Sequence, residues 1–185
     1  SKTPDVVIGV FGEEPYAEML GDLKDVSFRP TDPKFLPILE SVNAQSIPTV
    51  SIFLSGRPLV VNRQINASDA FIAAWLPGTA VEGIGDIIFT KDNEINYDFT
   101  GKLSYSWPKS KDQAVLNFTD SIYDPLFPFG YGLSYESDIQ LEKIQTNKTL
   151  SKLELVNVFL GAASIPGKEF IVTDSGPEFV MDDDF

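Results

Sequence analysis

Four acidic side chains lie within a short stretch near the start of the chain. They are Glu13, Glu14, Glu18 and Asp22. Carboxyl groups act as general acids and bases when their surroundings shift their pKa values. Acidic residues that follow a strand are also common as solvated loop residues or as charges at a helix N-terminus. The spacing therefore makes this stretch a candidate acid/base site, and it also fits an ordinary surface loop.

An apolar run directly before these residues indicates what would position them. The segment VVIGVF (6–11) is short and rich in β-branched residues, and it stops at Gly12. Such a run is typical of a strand that is buried on both faces of a sheet. Open α/β sheets bind their ligands beyond the carboxyl ends of the strands. The acidic stretch occupies that position.

The overall charge excludes several classes of partner. The chain has 185 residues, of which 27 are acidic and 14 are basic, giving a formal charge of −13. Nucleic acids and anionic lipid surfaces attract positive proteins, so we expect neither as a partner. A neutral polysaccharide is compatible with this surface. No run of about eighteen apolar residues occurs, and we expect no membrane-spanning helix.

The absence of histidine and cysteine restricts the chemistry further. It rules out a disulfide, a Cys/His zinc site and a Ser-His-Asp triad within these residues. Acid/base work therefore falls to Asp, Glu, Lys or Tyr, and we expect no metal and no cofactor. The lack of cysteine also fits a secreted or periplasmic protein, which is the location we expect.

The pattern of apolar residues predicts an α/β fold with a mostly parallel sheet flanked by helices. An amphipathic helix is predicted at 33–45, and strands are predicted at 47–54 and 70–76. Thr79 and Glu82 have the spacing of a capping box and predict the start of a second helix. The order strand–helix–strand–strand–helix is that of parallel strands joined by crossovers.

The second half of the chain is more irregular. Alternating apolar residues predict an edge strand at 103–107, and aromatic and proline residues at 123–135 predict a packed irregular loop. Composition then changes, and apolar clusters at 139–144, 153–160 and 170–172 predict a β-rich segment.

Five segments carry a resemblance to a known family. They are GEEPYAEMLGD (12–22), SGRPLVV (55–61), AAWLPGTAVEGIGDIIF (73–89), DFTGKLSYSWPKS (98–110) and YDPLFPFGYGLSY (123–135). In this order they resemble glycoside hydrolase family 3, in the branch of exo-β-glucanases and β-glucosidases. The resemblance implies that Glu18 is the general acid/base of a retaining enzyme that releases glucose from the non-reducing ends of β-glucans or β-glucosides. It assigns no substrate-binding residue.

The resemblance also implies how the chain is organised. Residues 1–135 would be the second half of the family's C-terminal α/β-sandwich domain, and residues 136–185 would be a β-rich extension that begins an appended β-sandwich. The nucleophile, an Asp, would lie in a separate (β/α)8 barrel, supplied by an N-terminal chain segment that these residues lack. We therefore expect apolar side chains around 6–11 and 50–54 to be exposed.

Two other functions stay open at this point. A non-catalytic module could bind polysaccharide or protein, with Trp75 or Trp107 stacking on sugar rings, although both are more typical of a core. A small-molecule receptor domain also fits the α/β order but leaves the acidic stretch unexplained. Arg57 could pair with a carboxylate near the site, and a structural role for it is favoured.

Overall fold

The structure is a computed structural model. It describes residues 3–146 and, for the backbone alone, residues 170–173 and 176–179. The chain separates into two compact units, residues 1–145 and residues 146–185. No helix in the described part of the chain is long and apolar enough to cross a membrane.

The first unit is built on a parallel three-stranded sheet. Its strands are β1 (Val7–Gly12), β2 (Thr49–Leu54) and β3 (Ala70–Trp75), in the spatial order β1-β2-β3. The register runs without interruption between β1 and β2, so that Gly12 lies opposite Leu54 where both strands end. The predicted α/β class and the predicted parallel pairing are confirmed.

Helices follow the strands as parallel pairing requires. Helix α1 is Phe35–Ala44, within the predicted 33–45, and the carboxylate of Asp32 accepts the N–H of Lys34 just before it. A short helix α2, Asn62–Asn66, was not predicted because its sequence, NRQIN, is polar and too brief to show a period.

The predicted capping box is wrong. Helix α3 is Glu82–Ile88, and it has no side-chain cap. Thr79 lies instead in a tight turn that is closed by a hydrogen bond from the N–H of Ala80 to the carbonyl of Pro77. Gly78, with φ +56, allows that turn, and the helix begins only after it.

An aromatic core lies against one face of the sheet. Its buried members are Phe53, Leu59, Val61, Ile65 and Trp107. The Phe53 ring is 5.1 Å from Phe11, 5.3 Å from Phe28 and 6.3 Å from Trp107, measured between ring centroids. These contacts hold the carboxyl end of the sheet against the segment that contains Trp107.

The predicted edge strand at 103–107 is wrong. Trp107 forms a single bridge with Phe127, and the surrounding residues make bends. Leu103 exchanges backbone hydrogen bonds with Gly130 and Tyr131. Prolines interrupt this part of the chain and remove the donors that a continuous ladder needs.

The expected exposure of apolar residues is confirmed for one strand and wrong for the other. Val10 of β1 is 57% exposed, whereas Ile52 and Phe53 of β2 are 5% and 1% exposed. The reason is that β2 is central and has a strand on each side, whereas β1 pairs only with β2 among the described residues.

In the second unit, the structure describes the backbone of two strands. They are β4 (Phe170–Thr173) and β5 (Gly176–Phe179), which pair antiparallel, and β4 covers the strand predicted at 170–172. The residues at 139–144, which belong to the first unit, form no strand. The strand predicted at 153–160 lies outside the described residues. The boundary after residue 135 stays a prediction.

Candidate active site

The acidic residues form a loop at the carboxyl edge of the sheet, where the sequence predicted them. The loop leaves β1 at Gly12, and a Cβ atom there would lie 2.5 Å from the backbone oxygen of Leu54. Only glycine fits so close to the neighbouring strand. The N–H of Glu13 then donates to that same oxygen, which extends the strand pairing by one residue. The loop therefore starts from a fixed point.

Arg57, which follows β2, binds the loop at both ends. Its Nε and Nη2 atoms donate to Oε1 of Glu13 at 2.8 and 2.5 Å, and its Nη1 atom donates to the carbonyl oxygen of Gly21 at 2.5 Å. The ion pair is shielded, because the two side chains are only 23% and 13% exposed. The hydroxyl of Ser55 accepts the N–H of Arg57 and fixes the turn from which the side chain extends.

The ring of Tyr16 fills the middle of the loop. The Arg57 guanidinium lies 4.2 Å from the ring centroid, in the geometry of a cation–π contact. A Cβ atom on Gly21 would lie 2.6 Å from the ring, and one on Gly56 would lie 2.7 Å from its hydroxyl. Both glycines thus leave room for the ring, which packs between them.

The four acids have different surroundings. Glu13 is bound by Arg57, and Glu14 accepts a hydrogen bond of 2.8 Å from the hydroxyl of Thr31. Asp22 lies at the end of the loop. Glu18 begins a short 3-10 turn, Glu18–Gly21, and is exposed with a left-handed backbone of φ +47.

Exposed apolar side chains follow Glu18 directly. Met19 and Leu20 are each 81% exposed. The loop therefore exposes Met19 and Leu20 together with the carboxyl groups of Glu14, Glu18 and Asp22, whereas Glu13 is shielded in its pair with Arg57.

A cleft of about 790 Å³ opens beside the loop. Asp22, Arg57, Tyr105 and Gln113 are among its lining residues, whereas Glu18 lies outside it. Asp25, also at this cleft, accepts the N–H of Ser27, and this hydrogen bond lowers the pKa of its carboxyl. No aspartate or glutamate cluster able to hold a metal occurs in the part of the chain that the structure describes.

The two tryptophans belong to the core. Trp107 is 2% exposed and cannot stack on a sugar, so the idea of Trp107 as a sugar platform is wrong. Trp75 is half-buried, with its ring 5.9 Å from that of Trp107.

Sequence reasoning offered two roles for Arg57, a pair with a carboxylate near the site and a favoured structural role, and it missed the contacts of Tyr16 and Thr31. A signal for Arg57 was present, because SGRP directly follows a strand that parallel pairing places beside β1. Residues after the carboxyl ends of adjacent parallel strands meet, so the Arg should have been matched with Glu13. The contacts of Tyr16 and Thr31 depend on the path of the loop, and the periodicity of the sequence does not predict the path of an irregular loop.

Comparison with known proteins identifies the family. Residues 1–135 match the model of the glycosyl hydrolase family 3 C-terminal domain. The chain belongs to glycoside hydrolase family 3. The match includes the whole acidic loop and the SGRP turn, so the contacts described above lie within the family domain.

Solved and curated members of the family resemble this chain over most of its length. The crystal structure of exo-1,3/1,4-beta-glucanase (ExoP) from a Pseudoalteromonas species is 49% identical with a TM-score of 0.76, covering 80% of this chain and 18% of that chain. The periplasmic beta-glucosidase of Salmonella typhimurium is 28% identical, covering 85% of this chain and 23% of the relative. The lysosomal beta glucosidase of Dictyostelium discoideum is 31% identical, and the match covers 73% of this chain and 16% of the relative. The chain thus spans less than a quarter of the length of these relatives.

Proposed function

We propose that this chain supplies the general acid/base, Glu18, of a retaining exo-acting β-glucosidase or exo-1,3/1,4-β-glucanase that releases glucose from non-reducing ends. The names of the similar proteins support the substrate class, since they include beta-glucosidases and an exo-1,3/1,4-beta-glucanase. The nucleophile of this proposal is an aspartate on a (β/α)8 barrel elsewhere in the enzyme.

The reaction proceeds in two displacements. The nucleophile carboxylate attacks the anomeric carbon while the bond to the leaving oxygen breaks, and Glu18 gives its proton to that oxygen. Glu18, now a carboxylate, then takes a proton from water, and the water oxygen attacks the anomeric carbon and releases the nucleophile. Glycoside and water become glucose and an alcohol, and Glu18 ends protonated as it began.

The assignment to Glu18 comes from the family resemblance, and the arrangement of the loop supports it. Glu14, Glu18 and Asp22 are all exposed, but Glu14 is hydrogen-bonded to Thr31 and Asp22 lies at the base of the loop. Glu18 lies between the two ends that Arg57 binds, and its side chain has no hydrogen bond or ion pair among the described residues. An acid that must reach a sugar bound to another domain has to project from the sheet edge. Glu18 meets this requirement with a backbone held at its base by the strand and by Arg57.

The test is Glu18→Gln in the complete enzyme, with the barrel present. A proton donor accelerates departure of a poor leaving group by about 10²–10⁴-fold. We expect kcat/KM for phenyl β-glucoside to fall by that amount. For 2,4-dinitrophenyl β-glucoside, whose leaving group departs unprotonated, kcat/KM should change little, and azide should restore turnover by forming β-glucosyl azide.

Glu14→Gln is the matched control, because it removes a carboxylate from the same loop. It should retain turnover of both substrates. An equal loss for both glucosides in Glu18→Gln, or a larger selective loss in Glu14→Gln, would refute the assignment.

We also propose that the enzyme is secreted or periplasmic. A secreted or periplasmic enzyme is consistent with the absence of cysteine and with the periplasmic relative. Cell fractionation followed by activity measurement tests this, and activity confined to the cytoplasmic fraction would contradict it.

A further inference from the structure

We propose that Arg57 is the positioning residue for Glu18. This inference rests on the proposed function of Glu18. Arg57 binds Glu13 at the start of the loop and Gly21 at its end, so the segment that includes Glu18 is closed into a ring by one guanidinium group. The angle at which Glu18 leaves the sheet edge then depends on Arg57, although the two side chains have no direct contact among those the structure records.

The geometry requires arginine rather than any cation. Three of its nitrogen atoms are used, two toward Oε1 of Glu13 and one toward the Gly21 carbonyl, while the planar group covers the Tyr16 ring. A lysine ammonium is a compact point charge. It can neutralise Glu13, but it cannot also reach the opposite end of the loop and cover the ring.

The charge balance makes this contact decisive for the conformation of the loop. Oε2 of Glu13 is buried and has no hydrogen-bond partner among the described residues, so Arg57 is the cation that compensates the carboxylate there. An uncompensated buried charge is strongly unfavourable. When Arg57 is lost, Glu13 moves toward water and the loop that carries Glu18 moves with it.

The chain offers a matched control for a substitution at this position. Arg63 forms an ion pair of 2.9 Å with Glu40 between helices α2 and α1. This pair is well exposed, at 61% and 44% of the two side chains, and among the described residues neither partner forms a recorded hydrogen bond or ion pair with the loop. Arg63→Lys therefore reproduces the chemical change of Arg57→Lys without touching the acidic loop.

The test compares Arg57→Lys, Arg63→Lys and Glu18→Gln in the complete enzyme. A displacement of a catalytic group by about 1 Å costs on the order of 10²-fold. We expect Arg57→Lys to lower kcat/KM for phenyl β-glucoside by roughly 10–100-fold and to leave 2,4-dinitrophenyl β-glucoside within about threefold. Arg63→Lys should leave both substrates unchanged.

Glu13→Gln provides a second variant in case Arg57→Lys does not fold. It removes the charge of the pair and retains its shape, and it should show the same selective loss. Equal losses for both substrates in these variants would mean a merely structural role and would overturn the inference. If these variants keep the parent kcat/KM for both substrates, the inference is overturned as well. If Glu18→Gln itself shows no leaving-group dependence, the proposed function fails, and this inference fails with it.

Discussion

Gly21→Ala should destabilise the acidic loop by a steric contact that the structure locates. The backbone of Gly21 does not lie in the left-handed region, so alanine can adopt its conformation. The new Cβ atom would nevertheless lie 2.6 and 3.0 Å from two carbon atoms of the Tyr16 ring. The ring is 38% exposed, but Arg57 covers one face and its hydroxyl lies close to Gly56, which limits the directions in which the ring can move.

The magnitude follows from this confinement. Overpacking of a well-packed core costs about 1–3 kcal/mol, and the partial exposure of the ring places this contact at the lower end, about 1–2 kcal/mol. For a domain of this size, 1 kcal/mol lowers the melting temperature by about 3 °C, so we expect a decrease of roughly 3–6 °C. Thermal unfolding followed by circular dichroism measures it.

Two comparisons identify the ring as the cause. Gly83→Ala lies in helix α3 with nothing within 4 Å of the new atom, and it should stabilise the protein by about 0.5–1 kcal/mol. In a Tyr16→Ala background, the cost of Gly21→Ala should fall below about 0.5 kcal/mol, since the contact has gone. The same loss with and without the Tyr16 ring would refute the reasoning.

Two other substitutions test the core. Phe53→Ala removes the ring that contacts Phe11, Phe28 and Trp107 and should cost about 3–5 kcal/mol in urea unfolding, whereas the same truncation of the exposed Phe118 should cost far less. Burial raises the pKa of the Tyr131 hydroxyl, which has no hydrogen-bond partner in the described part of the chain. A raised pKa means that stability is lost as pH rises above the ordinary value of 10.0. Tyr131→Phe should therefore be at least as stable as the parent protein at pH 7, because it removes an unpaired buried hydroxyl, and it should lose less stability in unfolding measurements above pH 10. A greater alkaline loss in the variant would contradict this.

The sheet was predictable because its signals are local and strong. The run at 6–11 and the run that ends at Leu54 are apolar, short and bounded by glycine or proline, and each forms a strand. The acidic loop was predictable for the same reason, since the end of a buried strand fixes where a loop begins. The choice of Glu18 as the candidate general acid/base required the family resemblance, because spacing alone does not distinguish among four neighbouring acids.

The failures came where nonlocal contacts or a competing turn outweigh a local pattern. Thr79 and Glu82 have correct capping spacing, yet the turn that starts at Pro77 occupies that position first. Leu103, Tyr105 and Trp107 alternate like a strand, yet Tyr105 is 62% exposed while Trp107 is buried. Trp107 is held by rings from the sheet, and no pattern within 103–107 contains that information.

The left-handed backbone at Glu18 has a consequence for protein engineering. Glycine adopts this conformation freely, whereas a residue with a Cβ atom is strained there. Selection for heat resistance alone would consequently favour Glu18→Gly, and the survivors would lack the carboxyl group. Given the role proposed for Glu18, a library screened first for thermal tolerance would enrich inactive clones at this position unless turnover is scored in the same round.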